Sequence, residues 1–147
     1  MPEEEFIIKD YQPGDYQGLC RLWEETGMGR PDRGDNDSTI ELSLSMGGSL
    51  LIMTDREGSV IGSSWMTFDG RRIHLHHFAI LPSHQGRGLA KPLLKRSLEF
   101  VKEKGYQVKL EVHQSNEKAI SLYKNAGFKY LGDYDVYIIR DTSSINL

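Results

Sequence analysis

Four groups of residues in this chain have the types and spacing to do chemistry. The first is the turn Gln85-Gly86-Arg87-Gly88, set between a strand-like run ending at Ile80 and a helix-like run beginning near Gly88. Its two glycines admit positive φ and let the backbone approach a ligand closely. The unpaired N–H groups and positive dipole end of the following helix converge on the same point, which suits a pyrophosphate, and Arg87 and Lys91 add charge there. A Walker P-loop is excluded because no Gly-Lys-Ser/Thr closes the turn, and a dinucleotide fingerprint because the three-glycine spacing is absent. The second group is Asn116 and Tyr123, seven residues apart and so about two turns along one helix face. Tyr123 reads either as a core aromatic beside Ile120, Leu122 and Ala126 or as a proton donor, since a phenol keeps its proton at neutral pH. The third is Glu111, on the polar side of a period-two run with Gln107, Lys109 and His113; it reads as a solvated strand residue or as a proton acceptor. The fourth is the group His74, His76 and His77. Adjacent strand residues face opposite sides, so His74 and His76 converge while His77 does not, and no carboxylate motif joins them; no metal site is expected.

The elements that must position these groups follow from periodicity and Gly/Pro punctuation. Phe6 to Lys9 reads as a strand, Gly14 to Glu25 as a helix stopped by Gly27 and Gly29, and Ser38 to Met46 as a short second helix. Ser49 to Asp55, Ser59 to Phe68 and Arg72 to Leu81 form a three-strand meander around the turns at Gly58 and Gly70. A helix from about Gly88 to Lys104, closed by Gly105, leads to a strand over Gln107 to Val112, which implies a parallel crossover. A helix over Asn116 to Ala126, stopped by Gly127, precedes final strands at about Phe128 to Leu131 and Asp135 to Arg140. The fold class is α/β (α+β), a mixed sheet with helices on both faces.

Length and composition bound the rest. A chain of 147 residues with 38% hydrophobic, 10% aromatic and 27% charged residues has the size and make-up of one globular domain spanning 1–147. The net charge of -3 disfavours a nucleic-acid backbone as partner, even though Arg71, Arg72, Arg87, Lys91, Lys95 and Arg96 cluster in sequence. The lone Cys20 forms no internal disulfide, Met1 to Asp10 is acidic rather than leader-like, and no apolar run approaches the roughly 20 residues of a membrane span. A cytoplasmic location without a membrane partner is the expectation. The sequence leaves room for a homodimer.

Gln85, Gly88 and Ala90 form Gln-x-x-Gly-x-Ala, which resembles the acetyl-CoA signature Gln/Arg-x-x-Gly-x-Gly/Ala of the GNAT N-acetyltransferase superfamily. The run Leu110-Glu-Val-His-Gln-Ser-Asn-Glu-Lys-Ala-Ile-Ser-Leu-Tyr-Lys-Asn-Ala-Gly-Phe128 resembles the closing motif of the same superfamily. The resemblance covers Arg72 to Arg140 well and the first half more loosely. Leu22 to Pro31 and Phe68-Asp-Gly70 look like small bacterial members with poorly defined acceptors. The second motif, with Glu111, looks most like enzymes that acetylate protein N-terminal amines, of the ribosomal-protein type.

The resemblance implies a mixed, mostly antiparallel sheet of about six to seven strands with about four helices on both faces. It also implies a splayed parallel strand pair, with acetyl-CoA as cosubstrate and its pantetheine arm in the gap. Backbone groups of Phe78 and Ile80 would bind that arm, with the Phe78 N–H on the thioester oxygen. Gln85, Gly86, Arg87, Gly88, Leu89 and Ala90 would hold the pyrophosphate, Asn116 would touch the CoA arm, and Tyr123 would act on the CoA sulfur. For the base, Glu111 matches the glutamate of N-terminal acetyltransferases and His74 stands near the glutamate of histone-type relatives. By the same resemblance the acceptor would be an amine-bearing small molecule or peptide, framed by Gly27 to Asp37 and Gly132 to Asp135. Acids Asp32, Asp35, Asp37, Asp133 and Asp135 in these segments would attract a cation. The competing reading is a catalytically inactive CoA-binding regulatory module.

Overall fold

The computed structural model describes residues 5–147, so the first four residues of the acidic N-terminal stretch lie outside it. The chain divides into two compact units, one running through Glu111 and one from Val112 to Leu147.

The first unit is a five-stranded sheet in sequence order: β1 (Ile7–Asp10), β2 (Ser49–Thr54), β3 (Val60–Phe68), β4 (Arg72–Ile80) and β5 (Gln107–Leu110). β1 to β4 pair antiparallel and β4 pairs parallel with β5. β2 reads as a nearly continuous apolar run, and β3 is buried from Val60 to Met66 with Ser63 and Ser64 inside it, because both faces are covered. The hairpin turns are built as their residues dictate. The Asp55 carboxylate accepts from the N–H groups of Glu57 and Ser59, that of Asp69 from Arg71 and Arg72, and Gly58 and Gly70 take positive φ.

Three helices cover this sheet: α1 (Tyr16–Thr26), α2 (Asp37–Ser45) and α3 (Ala90–Lys104). Their faces follow from side-chain bonds to successive residues of β3, which alternate across a sheet. Trp23 of α1 donates Nε1–H to Ser63 Oγ at 3.0 Å, and Trp65 donates to Ser43 Oγ of α2 at 3.0 Å. Ser97 of α3 shares a 2.7 Å hydrogen bond with Ser64. Thus α1 and α2 lie on one face and α3 on the other. Each helix stops where its residues require it. Gly27 and Gly105 take left-handed φ at the ends of α1 and α3, and Asn36 caps α2 by accepting from the Thr39 N–H at 2.9 Å.

The second unit carries α4 (Glu117–Asn125), capped by Asn116 Oδ1, which accepts from the Ala119 N–H. Past its C-terminus the Phe128 N–H returns to Tyr123 O at 3.0 Å and the Gly127 N–H to Lys124 O, with Gly127 at φ 108°. This is the Schellman pattern, and its accompanying apolar contact is the Tyr123–Phe128 ring pair at 5.7 Å.

Among the described residues the sheet has five strands, not six to seven. The runs expected as final strands, Phe128 to Leu131 and Asp135 to Arg140, carry no strand, and Tyr130, Tyr134, Tyr137, Ile138 and Ile139 are exposed. Strand propensity expresses packing against neighbours rather than an intrinsic backbone preference, and none of these side chains is buried. Among the described residues no helix is long and apolar enough to cross a membrane.

One packing constraint is testable. A Cβ on Gly48 would stand 2.7 Å from Met66 O and 2.8 Å from Ser43 O, both backbone atoms, whereas one on Gly14 meets nothing within 4 Å. Gly48→Ala is expected to lower unfolding free energy by about 1–3 kcal/mol, and Gly14→Ala to leave it within about 0.5 kcal/mol. Equal urea midpoints for the two variants would contradict this packing.

Candidate functional site

The β3–β4 ladder contains an irregularity that places the candidate site. Trp65 pairs with His76 and Ser63 with Ala79, so two steps along β3 match three along β4, and Ser64 stands opposite both His77 and Phe78. This is a β-bulge. His77 takes φ 48°, alone among the described non-glycine residues in having positive φ. Ser63 holds the bulge by donating its hydroxyl to His77 O at 2.7 Å while accepting from Trp23. The parallel β4–β5 ladder ends at Leu75↔Leu110, so the bulge lies just past the point where the two strands cease to pair.

The bulge also corrects the expectation that His77 points away from His76. An extra residue breaks the alternation, and the His76 and His77 Nδ1 atoms lie 2.8 Å apart. Signs of this in the sequence were slight: the apolar alternation of Ile73 and Leu75 lapses at His76, His77 and Phe78 before Ala79 and Ile80. His76 Nε2 reaches Thr67 Oγ1 at 3.2 Å, and His77 Nε2 lies 3.1 Å from Asp35 Oδ1. Burial first, and then the neighbouring His77 and His74 rings, push His76 down to about 3. Burial also lowers His74, against the pull of Glu111 and Asp69, and lowers His77, against the pull of Asp35. Among the described residues no group of three or more His, Cys, Asp or Glu side chains is arranged to hold a metal ion.

The glycine turn follows β4. Gly86 and Gly88 take φ 78° and 76°, and a Cβ at either would meet open space, so the backbone conformation rather than crowding calls for glycine. α3 starts at Ala90, two residues later than expected. Leu89 is buried and provides no side-chain cap, which leaves the first-turn N–H groups uncapped by that residue. Gln85 bonds not outward but back onto the strand, donating Nε2–H to Ile80 O at 2.9 Å. Gly86, Arg87 and Gly88 are exposed. Phe78, Ile80, the turn and α3 are therefore brought into one continuous stretch at the end of β4.

Glu111, just past β5, is exposed, and it acts on the half-buried His74. In the second unit, Asn116 is the N-terminal cap of α4 and Tyr123 lies within the helix. Tyr123 is buried, and burial pushes its phenol up to about 12. His113 is engaged locally, with Nδ1 2.7 Å from Ser115 Oγ. In the loop between α1 and α2, Asp32 pairs with Arg30 and Asp35 with His77, so neither acid stands alone. A cavity of about 340 Å³ opens there, lined by Cys20, Trp23, Glu24, Arg30 and Asp35 among others.

Residues 16–128 match the profile of the acetyltransferase (GNAT) family. The chain belongs to that family. Over 103 residues it is 32% identical to a mycothiol acetyltransferase of Clavibacter sepedonicus, covering 69% of this chain and 34% of that protein, so the chain spans about a third of the relative's length. Among solved structures, an acetyltransferase from Streptococcus agalactiae superposes with a TM-score of 0.77 at 22% identity, covering 92% of each chain. The ribosomal-protein-S18-alanine N-acetyltransferase of Escherichia coli gives 0.72 at 20% identity, covering 85% of this chain and 78% of that one. AAC(6')-Iy, solved with a CoA-containing bisubstrate analogue, gives 0.75 at 18%, covering 93% of this chain and 99% of that one. These likenesses agree with the four helices and the parallel strand pair of the GNAT fold.

In this GNAT chain the histidine cluster carries a pH signature. The folded protein keeps His76 neutral down to about pH 3, while the unfolded chain takes up a proton as pH falls below about 6.5. Its contribution is therefore fully present above pH 6.5 and is lost as pH falls, by at most about 1.4 kcal/mol per pH unit for one site. The melting temperature should fall from pH 6.5 to pH 5, and His76→Gln should make that fall shallower. Parallel profiles for the two proteins would contradict a neutral, half-buried His76.

Proposed function

We propose that residues 1–147 work as a single N-acetyltransferase domain, moving the acetyl group of acetyl-CoA to a primary amine by direct attack in a ternary complex. The observation that carries this reading is the continuity of the β4 bulge, the end of the parallel ladder and the left-handed Gly86 and Gly88 at the start of α3. Diphosphate oxygens would meet the turn amides and the α3 N-terminus, with Arg87 alongside. The pantetheine arm would follow the backbone of Phe78 and Ile80.

In the reaction the amine nitrogen bonds to the thioester carbon, the carbonyl oxygen becomes an oxyanion, the C–S bond breaks, and the amine gives up a proton. The Phe78 N–H, within the bulge, is assigned to the oxyanion. Glu111, directly or through water, is assigned to the amine proton. His74 serves this role less well, because burial favours its neutral form but leaves it on a partly enclosed strand. By family resemblance Asn116 contacts the CoA arm and Tyr123 donates to the departing thiolate; a phenol pushed up to about 12 retains its proton at neutral pH. A small amine and a protein N-terminus are both candidate acceptors, since the structural relatives include AAC(6')-Iy, solved with CoA-S-monomethyl-acetylneamine, and a ribosomal-protein-S18-alanine N-acetyltransferase.

The test is thiol release from acetyl-CoA across polyamines, free amino acids and N-terminal peptides. Tyr123→Phe is expected to cut kcat by roughly 10² to 10⁴ with CoA affinity unchanged. Wild-type turnover with a lowered melting temperature would make Tyr123 structural. A protein that binds CoA but releases no thiol with any acceptor would favour the inactive CoA-binding module.

A further inference from the structure

Asp35 is held from two sides. Its Oδ2 accepts from the Arg30 N–H at 2.8 Å, inside the loop that follows α1, and its Oδ1 lies 3.1 Å from His77 Nε2 on β4. Both side chains are largely buried, at 17% and 13% exposure, so the contact is shielded from water. Nε2 sits off the line of an aligned hydrogen bond and has no other partner. On its other side the imidazole is enclosed by Trp23 and Trp65, with ring centroids at 4.6 and 5.2 Å.

The Asp35 carboxylate, as an acceptor, sets the direction in which the histidine contacts are read. If the His77 Nε2–H faces the Asp35 carboxylate, neutral His77 has an accepting Nδ1. His76 must then donate from Nδ1 across the 2.8 Å contact, which makes His76 Nε2 the acceptor of the Thr67 hydroxyl at 3.2 Å. Each group thus has one consistent role from Thr67 through His76 and His77 to Asp35. The chain passes through His77, the residue with left-handed backbone that immediately precedes Phe78.

We propose that Asp35 and His77 form a latch that ties the loop 27–37 to the β4 bulge and so aims the Phe78 backbone N–H at the thioester oxygen. Both are positioning residues, and the proposal rests on the acetyl-transfer reading above. Asp35 and Trp23 also line the cavity beside α1, so whatever fills that cavity meets the carboxylate that steadies His77. The loop packs closely here, since a Cβ on Gly29 would stand 2.8 Å from the Trp23 ring. Substrate-side order is in this way linked to the oxyanion donor.

The groups that face His77 are Asp35 from the loop, His76 with His74 beyond it on β4, Trp23 from α1, and Trp65 and Ser63 from β3. Nitrogen NMR of the histidine rings reads their state without any turnover. Wild-type protein is expected to show His77 as the Nε2–H tautomer and His76 as the Nδ1–H tautomer. Asp35→Asn should change the His77 spectrum and lower kcat by roughly 10- to 100-fold while KM for acetyl-CoA stays unchanged. His77→Gly, which accepts positive φ without strain, should show a similar loss, and the double variant no further loss, as expected for two groups acting as a unit. The opposite tautomers, additive losses, or an Asp35→Asn variant with wild-type kcat would overturn the latch. If wild-type protein fails to acetylate any amine, the functional reading and the aiming role fail together. The tautomers then decide separately whether the Asp35–His77 contact stands.

Discussion

The structure depends on one extra residue in β4. Because His77 and Phe78 together oppose Ser64, the strand bends where its parallel partner stops, and the backbone turns at the position from which the proposed chemistry is run. A left-handed conformation at a residue other than glycine costs on the order of 1–3 kcal/mol and persists only when its surroundings over-determine it. Here they do so with adjacent serines. Ser63 bonds the His77 carbonyl and the Trp23 indole on one face, and Ser64 bonds Ser97 on the other. At roughly 1 kcal/mol net per buried hydrogen bond, these contacts are of the size needed to offset the strain.

The same serines organise the helices. α1 reaches the sheet through Trp23 and α3 through Ser97, so the helix that carries the loop with Asp35 and the helix that begins at the glycine turn are pinned to neighbouring positions of β3. The stacked Trp23 and Trp65 rings, 5.6 Å apart, pack on the α1 and α2 face of the sheet. A shift of the bulge would therefore disturb the loop after α1 and the start of α3 together, and each of those segments has a role in the proposed transfer.

The parts legible in the sequence were those governed by local chemistry. Gly86 and Gly88 announced positive φ, Gly27 and Gly105 announced helix ends, and the Tyr123 to Phe128 spacing is that of the Schellman cap observed. The bulge was hidden because its cause is non-local: Ser63, Ser64 and Trp23 hold it from 13 or more positions away in the chain, and histidine gives no hint of left-handed backbone. Asp35 read as one of several loop acids for a related reason, since its partner lies on a distant strand. The last two expected strands failed on the other side of this rule. Val136, Ile138 and Ile139 have strand-forming side chains, but propensity alone creates no ladder.

The central claim is that the bulge presents the Phe78 amide to the thioester, and that amide reports on it directly. Selective ¹⁵N labelling of phenylalanine gives five amide signals, from Phe6, Phe68, Phe78, Phe100 and Phe128. Titration with acetyl-CoA is expected to move the Phe78 signal, and to move it further than CoA without the acetyl group does, because only the thioester supplies the carbonyl oxygen. A Phe78 signal that responds equally to CoA and acetyl-CoA, or to neither in a protein that binds both, would contradict the account.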